Sequence, residues 1–486
     1  MQTEKTKRLL CALLTLCLLL TLSLPAYADV SFTLSYLENL PLYVDGGEAK
    51  TVKTLHYGYG NNRYVSLRDM AAALNGTAKS FGLNISGDQV TITTNTPYTP
   101  QGGENEPFPE VFSRTGAPYV YTAGDLFYNT IELDGSAVWY QSFMGQNTAE
   151  RRDCFLSLTD LAMQLDLDVE VSSRGILLNT AGNYRIDLET LKEDGFYYEV
   201  HSALVGDATT GEIFSAWEPE LSVPIASTTK LMSFAVIMDA VTDGEISLAD
   251  KVKITEAAEQ LSHTADGMIN LQSGTEVTLT ELLCGMLLRS SNECALALAI
   301  HTAGSEEAFV ERMNRKARVL NLSDGAVFYN CHGLPVYTDN LAATKIQNRM
   351  SAADMFRLVA YMLRAYPDLT RITSMKSVYL ESLDITVSNS NTLLYNLPNT
   401  VGLKTGTTNM SGSCLVAAAQ AEDAEGNTHI LVSVEFGAED SGTRNTFSEE
   451  LLRYGMQCLR EGSAAIRPAV PPADAEDLIR AVLESF

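Results

Sequence analysis

The chain is short of basic side chains. Its 486 residues hold 34 Lys and Arg against 60 Asp and Glu, a formal net charge of −26 at pH 7. Phosphate binding needs basic surface, so a nucleic-acid role is disfavoured. An anionic membrane or wall polymer would also repel the chain outside a local basic patch. Cysteines are few and scattered. Six follow residue 28: Cys154, Cys284, Cys294, Cys331, Cys414 and Cys458. They lack the density of a disulfide scaffold and read as free, buried thiols, with a Cys284–Cys294 bridge left open. No C-x-x-C occurs and the six histidines show no ligand spacing, so neither metal nor other cofactor is expected. After the first 28 residues no apolar run is long enough to span a bilayer. The composition, 45% hydrophobic and 19% charged, is that of an ordinary globular protein, and the length suggests two to four domains.

Residues 1–28 read as a secretory signal. Lys5, Lys7 and Arg8 form a charged start, Leu9 to Leu24 an apolar run, and Ala26-Tyr27-Ala28 a small-x-small cleavage site. The expected mature start is Asp29, outside the cytoplasmic membrane in the cell wall. An uncleaved membrane tether is the alternative. Leu16 before Cys17 disfavours lipidation.

Residues 31–183 carry a weak repeat. The first copy runs through Leu42-Tyr43-Val44-Asp45-Gly46, then Tyr64-Val65-Ser66-Leu67-Arg68-Asp69 opening a helix to Leu74, then Val90-Thr91-Ile92-Thr93. The second runs through Ile131 to Gly135, then Phe155-Leu156-Ser157-Leu158-Thr159-Asp160 opening a helix to Leu165, then Gly175-Ile176-Leu177-Leu178. Each serine stands where an N-cap would satisfy free backbone N–H groups. Thr94 to Glu110, rich in Pro, Gly, Asn and Glu, reads as an exposed loop between the copies. On these helix starts and the repeat, the region resembles the copper amine oxidase N-terminal-like domain. That resemblance implies an α+β stalk that spaces an enzyme from the wall or contacts it. No copper ligand cluster accompanies it.

A second domain spans 186–462. It opens on a hairpin, Ser202 to Asp207 and Gly211 to Phe214. Helical patterns dominate from Ser227 to about Arg364. Strand-like runs return at Ser413 to Ala419 and Ile430 to Phe436, and a helix from Thr446 to Leu459 closes the domain. Terminal strands joining in one antiparallel sheet around a helical block make an α/β sandwich. Residues 463–486 read as a proline-rich linker and a short acidic helix, with too few Lys and Arg for membrane anchoring.

Three short patterns inside this domain carry chemistry. Ser227-Thr228-Thr229-Lys230 sets a hydroxyl and an amine on one helix face if a helix starts at Ser227. A serine needs a base within hydrogen-bond reach, and a lysine serves only if burial or a nearby cation lowers its pKa. Lys404 is a candidate for that cation. Ser290-Ser291-Asn292 is a polar break between the apolar helices Leu282 to Leu288 and Ala295 to Ile300. Ser290 can pass a proton and Asn292 can hold the lysine. Lys404-Thr405-Gly406-Thr407 offers a cation and two hydroxyls to a carboxylate, and Gly406 permits a close backbone approach. The N–H groups of Ser227 and Thr407 could form an oxyanion hole. Arg444 is a second candidate for that carboxylate, with a plain surface arginine as the alternative.

With the flanks Ile225 to Met232, Leu288 to Glu293, Asn330-Cys331-His332-Gly333-Leu334, Gly402 to Thr408 and the helix after Arg444, residues 190 to 460 resemble penicillin-binding proteins of low molecular weight. The group is that of serine-type D-alanyl-D-alanine carboxypeptidases, with a β-lactamase/transpeptidase-like fold. The resemblance implies Ser227 as acyl-ester nucleophile, Lys230 as general base, Ser290 and Asn292 as second-motif residues and Lys404 as carboxylate binder. It implies peptidoglycan stem peptides ending in D-Ala-D-Ala as substrate and β-lactams as inhibitors. Two features depart from β-lactamases: Ser291 replaces an aspartate, and no glutamate occurs between Glu311 and Glu381 to activate water. The β-rich C-terminal domain and anchor of many such carboxypeptidases are not expected. A DD-endopeptidase shares every motif. A wall-binding or penicillin-sensing protein would need a broken one.

Overall fold

The computed structural model describes residues 35–57, 63–107, 126–148, 151–172, 174–186, 188–263, 269–337, 345–462 and 467–468. The expected signal segment lies outside them, as does nearly all of the tail after residue 462.

The N-terminal region opens with β1 (Ser35–Val44), β2 (Lys50–Tyr57) and β3 (Arg63–Ser66). The chain then turns into α1 (Leu67–Leu74), with β4 (Phe81–Ser86) and β5 (Gln89–Thr94) following. The second copy repeats the order: β6 (Leu126–Leu133), β7 (Ser136–Thr148), β8 (Arg151–Ser157), α2 (Leu158–Leu165), β9 (Asp168–Ser172) and β10 (Gly175–Asn179). Ser66 and Ser157 cap their helices, accepting from the N–H groups of Asp69 and Asp160, contacts worth about 1 kcal/mol each. The ten strands form one sheet in the order β4-β5-β6-β7-β8-β3-β2-β1-β10-β9. Its parallel pairings cross between copies, Leu42 opposite Ile176 and Val90 opposite Ile131. Each copy's last strand therefore completes the other, and one core holds Leu67, Met70 and Phe81 together with Leu156, Leu161 and Ile176.

The second region begins with α3 (Leu188–Tyr197) and the hairpin β11 (Ser202–Asp207) and β12 (Glu212–Trp217). A helical block follows: α4 (Lys230–Thr242), α5 (Leu279–Leu288), α6 (Asn292–Ala303), α7 (Glu306–Val319) and α8 (Ala352–Ala365). After the single turn α9 (Leu393–Asn396), strands β13 (Thr400–Thr408), β14 (Gly412–Glu422) and β15 (Thr428–Ala438) lead to the long helix α10 (Ser441–Glu461). The sheet runs β13-β14-β15-β11-β12, with Arg467–Pro468 paired onto β12. Every described pairing in it is antiparallel. The helical block packs on one face and α3 with α10 on the other, giving the α/β sandwich two separate cores. Helix α4 lies inside the block and is buried on nearly every face. Such a helix shows no apolar stripe in sequence.

The two regions meet at a polar junction. Trp139 exchanges two hydrogen bonds of 2.8 Å with the Asn396 side chain, as a paired strand residue would. Gln164 Nε2 donates to Glu449 Oε1 at 3.3 Å, and Thr446 Oγ1 to Asp160 Oδ1 at 3.2 Å. Asp160, Glu449 and Glu450 are all buried. Glu449 binds Arg453 at 2.8 Å, but its other oxygen and both oxygens of Glu450 are buried without a described partner. Burial first, then the Glu449 charge, drives Asp160 well above the ordinary carboxylate range; burial and Asp194 do the same to Glu450. Acids raised in the folded state bind protons more tightly there. Their stabilising share is complete below the ordinary carboxylate pKa and is lost as pH rises through the folded values. Asp160→Asn keeps an acceptor for Thr446 and removes the charge. Thermal unfolding should show it roughly 1–2 kcal/mol more stable than the parent at pH 8, with the difference vanishing near pH 4.

Candidate active site

The turn carrying Ser227 is tighter than an α-helix. Ala226–Thr229 form a 3-10 turn feeding α4, so the expected helix start at Ser227 is replaced by this turn. The change favours the chemistry, because residues three apart eclipse in a 3-10 helix. Lys230 Nζ stands 2.9 Å from Ser227 Oγ. Ala226, just ahead of the serine, has a φ of +45°, a left-handed conformation costly for a residue with a Cβ and concentrated at functional sites. Ser227 is half-buried amid buried neighbours.

Lys230 is fully buried. Its Nζ lies 2.7 Å from Asn292 Oδ1 and 2.7 Å from the His332 carbonyl oxygen. Both are acceptors only. A neutral amine has two hydrogens and one lone pair. With both hydrogens donated to these oxygens, the lone pair is left for the Ser227 hydroxyl. Burial lowers the Lys230 pKa to about 7, against smaller raising effects from Cys331, Glu293 and Cys294. Of the two causes open from the sequence, burial or a cation such as Lys404, burial has that role. The repulsion acts on Lys404, which burial first, then Lys230 and Arg444, push well below the ordinary lysine value.

The second motif caps a helix. Ser291 is the N-cap of α6, its side chain accepting from Cys294 N–H, and the helix starts by aiming Asn292 at Lys230. Ser290 precedes it, half-buried, with φ +68°. The third motif lies in β13, which pairs antiparallel with the strand that follows it, β14. Lys404 is buried there, and its Nζ donates to the Thr405 carbonyl at 2.9 Å. Thr405 Oγ1 lies 2.6 Å from Ser390 Oγ, while Thr407 is exposed. Gly406 does pass close to backbone, but that of the turn carrying Ser227: a Cβ on it would sit 2.8 Å from Ser227 N. The expected oxyanion donors thus belong to adjoining segments. Arg444 lies in the first turn of α10, which Asp440 caps. It is buried rather than a surface residue, with Nε and Nη2 donating to Asn445 Oδ1 at 3.0 and 2.8 Å.

Residues outside the motifs complete the lysine's surroundings. Asn330 Oδ1 accepts from the N–H groups of His332 and Gly333, turning the loop so that the His332 carbonyl meets Lys230. The His332 imidazole is kept neutral: burial, then Lys230, lowers its pKa to about 3. Asn330 to Leu334 drew notice in the sequence only as a flank, because a backbone carbonyl leaves no signature in residue identity. The six described cysteines are free and buried. Among the described residues no group of three or more His, Cys, Asp or Glu is placed to hold a metal ion, and no helix is long and apolar enough to cross a membrane.

A family model described as D-alanyl-D-alanine carboxypeptidase (peptidase S11) matches residues 191–439. The chain is 32% identical over 273 residues to D-alanyl-D-alanine carboxypeptidase DacF of Bacillus subtilis, covering 54% of this chain and 65% of that protein. It is 32% identical over 220 residues to a D-alanyl-D-alanine endopeptidase of Pseudomonas aeruginosa, covering 44% of this chain and 65% of that one. Penicillin binding protein 5 of Haemophilus influenzae is a similar solved structure, at 30% identity and a TM-score of 0.47 over 53% of this chain and 71% of that one. The chain therefore spans a little under two thirds of the length of these two relatives.

Proposed function

The chain belongs to the D-alanyl-D-alanine carboxypeptidase family, and from that premise we propose that it is a serine-type D-Ala-D-Ala carboxypeptidase acting on peptidoglycan stem peptides. The observation that carries the reading is the buried Lys230 Nζ, 2.9 Å from Ser227 Oγ and 2.7 Å from each of two acceptors, Asn292 Oδ1 and the His332 carbonyl, an arrangement that in the neutral amine turns the lone pair to Ser227. Ser227 Oγ attacks the carbonyl between the two terminal D-alanines while Lys230 takes its proton. The tetrahedral intermediate collapses, the C–N bond breaks, and the proton passes to the leaving amine, with Ser290 as relay. Free D-Ala departs. Water then attacks the ester, releasing the shortened peptide and restoring Ser227.

Lys404, Thr405 and Thr407 receive the terminal carboxylate, with Arg444 behind them. A carboxylate bound beside Lys404 favours its ammonium form. A β-lactam acylates the same serine. We also infer that the N-terminal repeat is a stalk of the copper amine oxidase N-terminal-like kind, able to contact the wall, and that the protein is exported by residues 1–28.

The test compares D-Ala release from a peptide ending in Lys-D-Ala-D-Ala, cleavage of a D-Ala-cross-linked dimer, and turnover of penicillin. D-Ala release should dominate, with rates rising through about pH 7 as Lys230 loses its proton. Preferred cleavage of the dimer would make the protein an endopeptidase, as the Pseudomonas relative is named. Fast penicillin turnover would make it a β-lactamase, against the absence of glutamate between Glu311 and Glu381.

A further inference from the structure

A buried asparagine outside all three motifs touches two of the segments that shape the base, the 225–229 turn and the 329–330 stretch of the loop. Asn348 is wholly buried. Its Oδ1 accepts from Tyr329 N–H at 2.7 Å and Asn330 N–H at 3.3 Å. Its Nδ2 donates to the Asn330 carbonyl at 2.9 Å and to Thr229 Oγ1 at 3.1 Å, and its backbone carbonyl accepts from Ile225 N–H at 3.1 Å. One residue thus ties the turn carrying Ser227 and Lys230 to the loop carrying the His332 carbonyl. A second contact reinforces the tie: Gly333 lies so close to the turn that a Cβ on it would fall 2.0 Å from Ala226 O. The neighbouring Gln347 Nε2 also holds the Gly333 carbonyl, at 2.7 Å.

We propose that Asn348 is a positioning residue for the reaction, a strut that holds the His332 carbonyl against Lys230 and thereby directs the amine's lone pair at Ser227. The proposal rests on Ser227 and Lys230 being nucleophile and base. Without the strut the 329–334 loop loses its tie to Thr229, and water reaches the Lys230 amine. The charged and titratable groups acting on that amine come from three sides: Glu293 and Cys294 from α6, Cys331 and His332 from the loop with Glu306 behind them, and Lys404 from β13. None of them changes in the substitutions below, and burial is the leading influence on the lysine. Hydration therefore moves its titration upward.

The direct measurement is an NMR titration of the 13C-labelled Lys230 side chain, assigned with Lys230→Arg, in the whole protein. It needs no catalytic turnover. In Asn348→Ala the midpoint should rise by about one unit, and penicillin acylation at pH 7 should fall about tenfold or more with the pre-covalent affinity unchanged. Thr229→Val keeps the side-chain shape, removes only the hydroxyl end of the tie, and should shift the midpoint in the same direction by less. It also serves if Asn348→Ala does not fold. A midpoint at the parent's value in either folded variant overturns the proposal, whatever the melting temperature does. If the midpoint moves in a parent protein that takes no penicillin, the strut stands and the carboxypeptidase reading falls.

Discussion

Lys230→Met captures a fluorescent penicillin about a thousandfold more slowly than the parent protein at pH 7, and Ser227→Ala captures none: these are the expected results of a labelling time course read on a denaturing gel. Methionine has nearly the length of lysine and suits the buried site around α4, so the fold should survive. What disappears is the proton acceptor. General-base catalysis contributes typically 10²–10⁴-fold, and no other described side chain is placed 2.9 Å from Ser227 Oγ as a base. The parent's labelling rate should climb through about pH 7 with the neutral fraction of Lys230. The methionine variant's residual rate should be flat there. A pH profile unchanged by the substitution would move the base elsewhere.

Gly333→Ala should be as damaging from a position that does no chemistry. Gly333 has a φ of +92°, and an added Cβ would lie 2.0 Å from Ala226 O and 2.9 Å from Thr229 Oγ1. Left-handed backbone costs a residue with a Cβ about 1–2 kcal/mol, and the overlap is with backbone that cannot rotate away. A loss of at least about 3 kcal/mol on thermal unfolding is expected, and penicillin capture should be lost even in molecules that stay folded. Gly426→Ala is the matching control. Its φ is +84° with nothing within 4 Å of the added carbon, so strain acts alone, costing about 1 kcal/mol and leaving capture intact.

These two substitutions mark what the sequence shows and what it hides. Ser227, Lys230, Asn292 and Lys404 could be singled out because each sits in a short local pattern of polar side chains, and the structure brings Lys230 to both Ser227 and Asn292. The capped starts at Ser66 and Ser157 were legible for the same reason. The 3-10 geometry at Ser227 was not, since it depends on the backbone of Ile225 being held by Asn348 from far along the chain. The His332 carbonyl was hidden because every residue has one. Arg444 looked as much like a surface residue as a site residue; only the fold of α10 onto the sheet buries it. Which of the two open causes, burial or a nearby cation, lowers the lysine's pKa was not legible, because burial is a property of the assembled helical block, not of neighbouring letters.

The crossed pairing of the N-terminal repeat has a consequence in time. Leu42 finds its parallel partner only when Ile176 has been made, and Val90 finds its own in Ile131. The catalytic sheet has the same property, since β11 needs β15. Neither copy of the repeat can close by itself as it leaves the ribosome, and the nucleophile turn cannot be held until Asn348 arrives. A ribosome-bound chain stalled after residue 170 should therefore leave the Leu42–Val44 end of β1 without its parallel partner and be cut there by proteases faster than the whole chain. Closure of both sheets thus depends on contacts between distant parts of the chain.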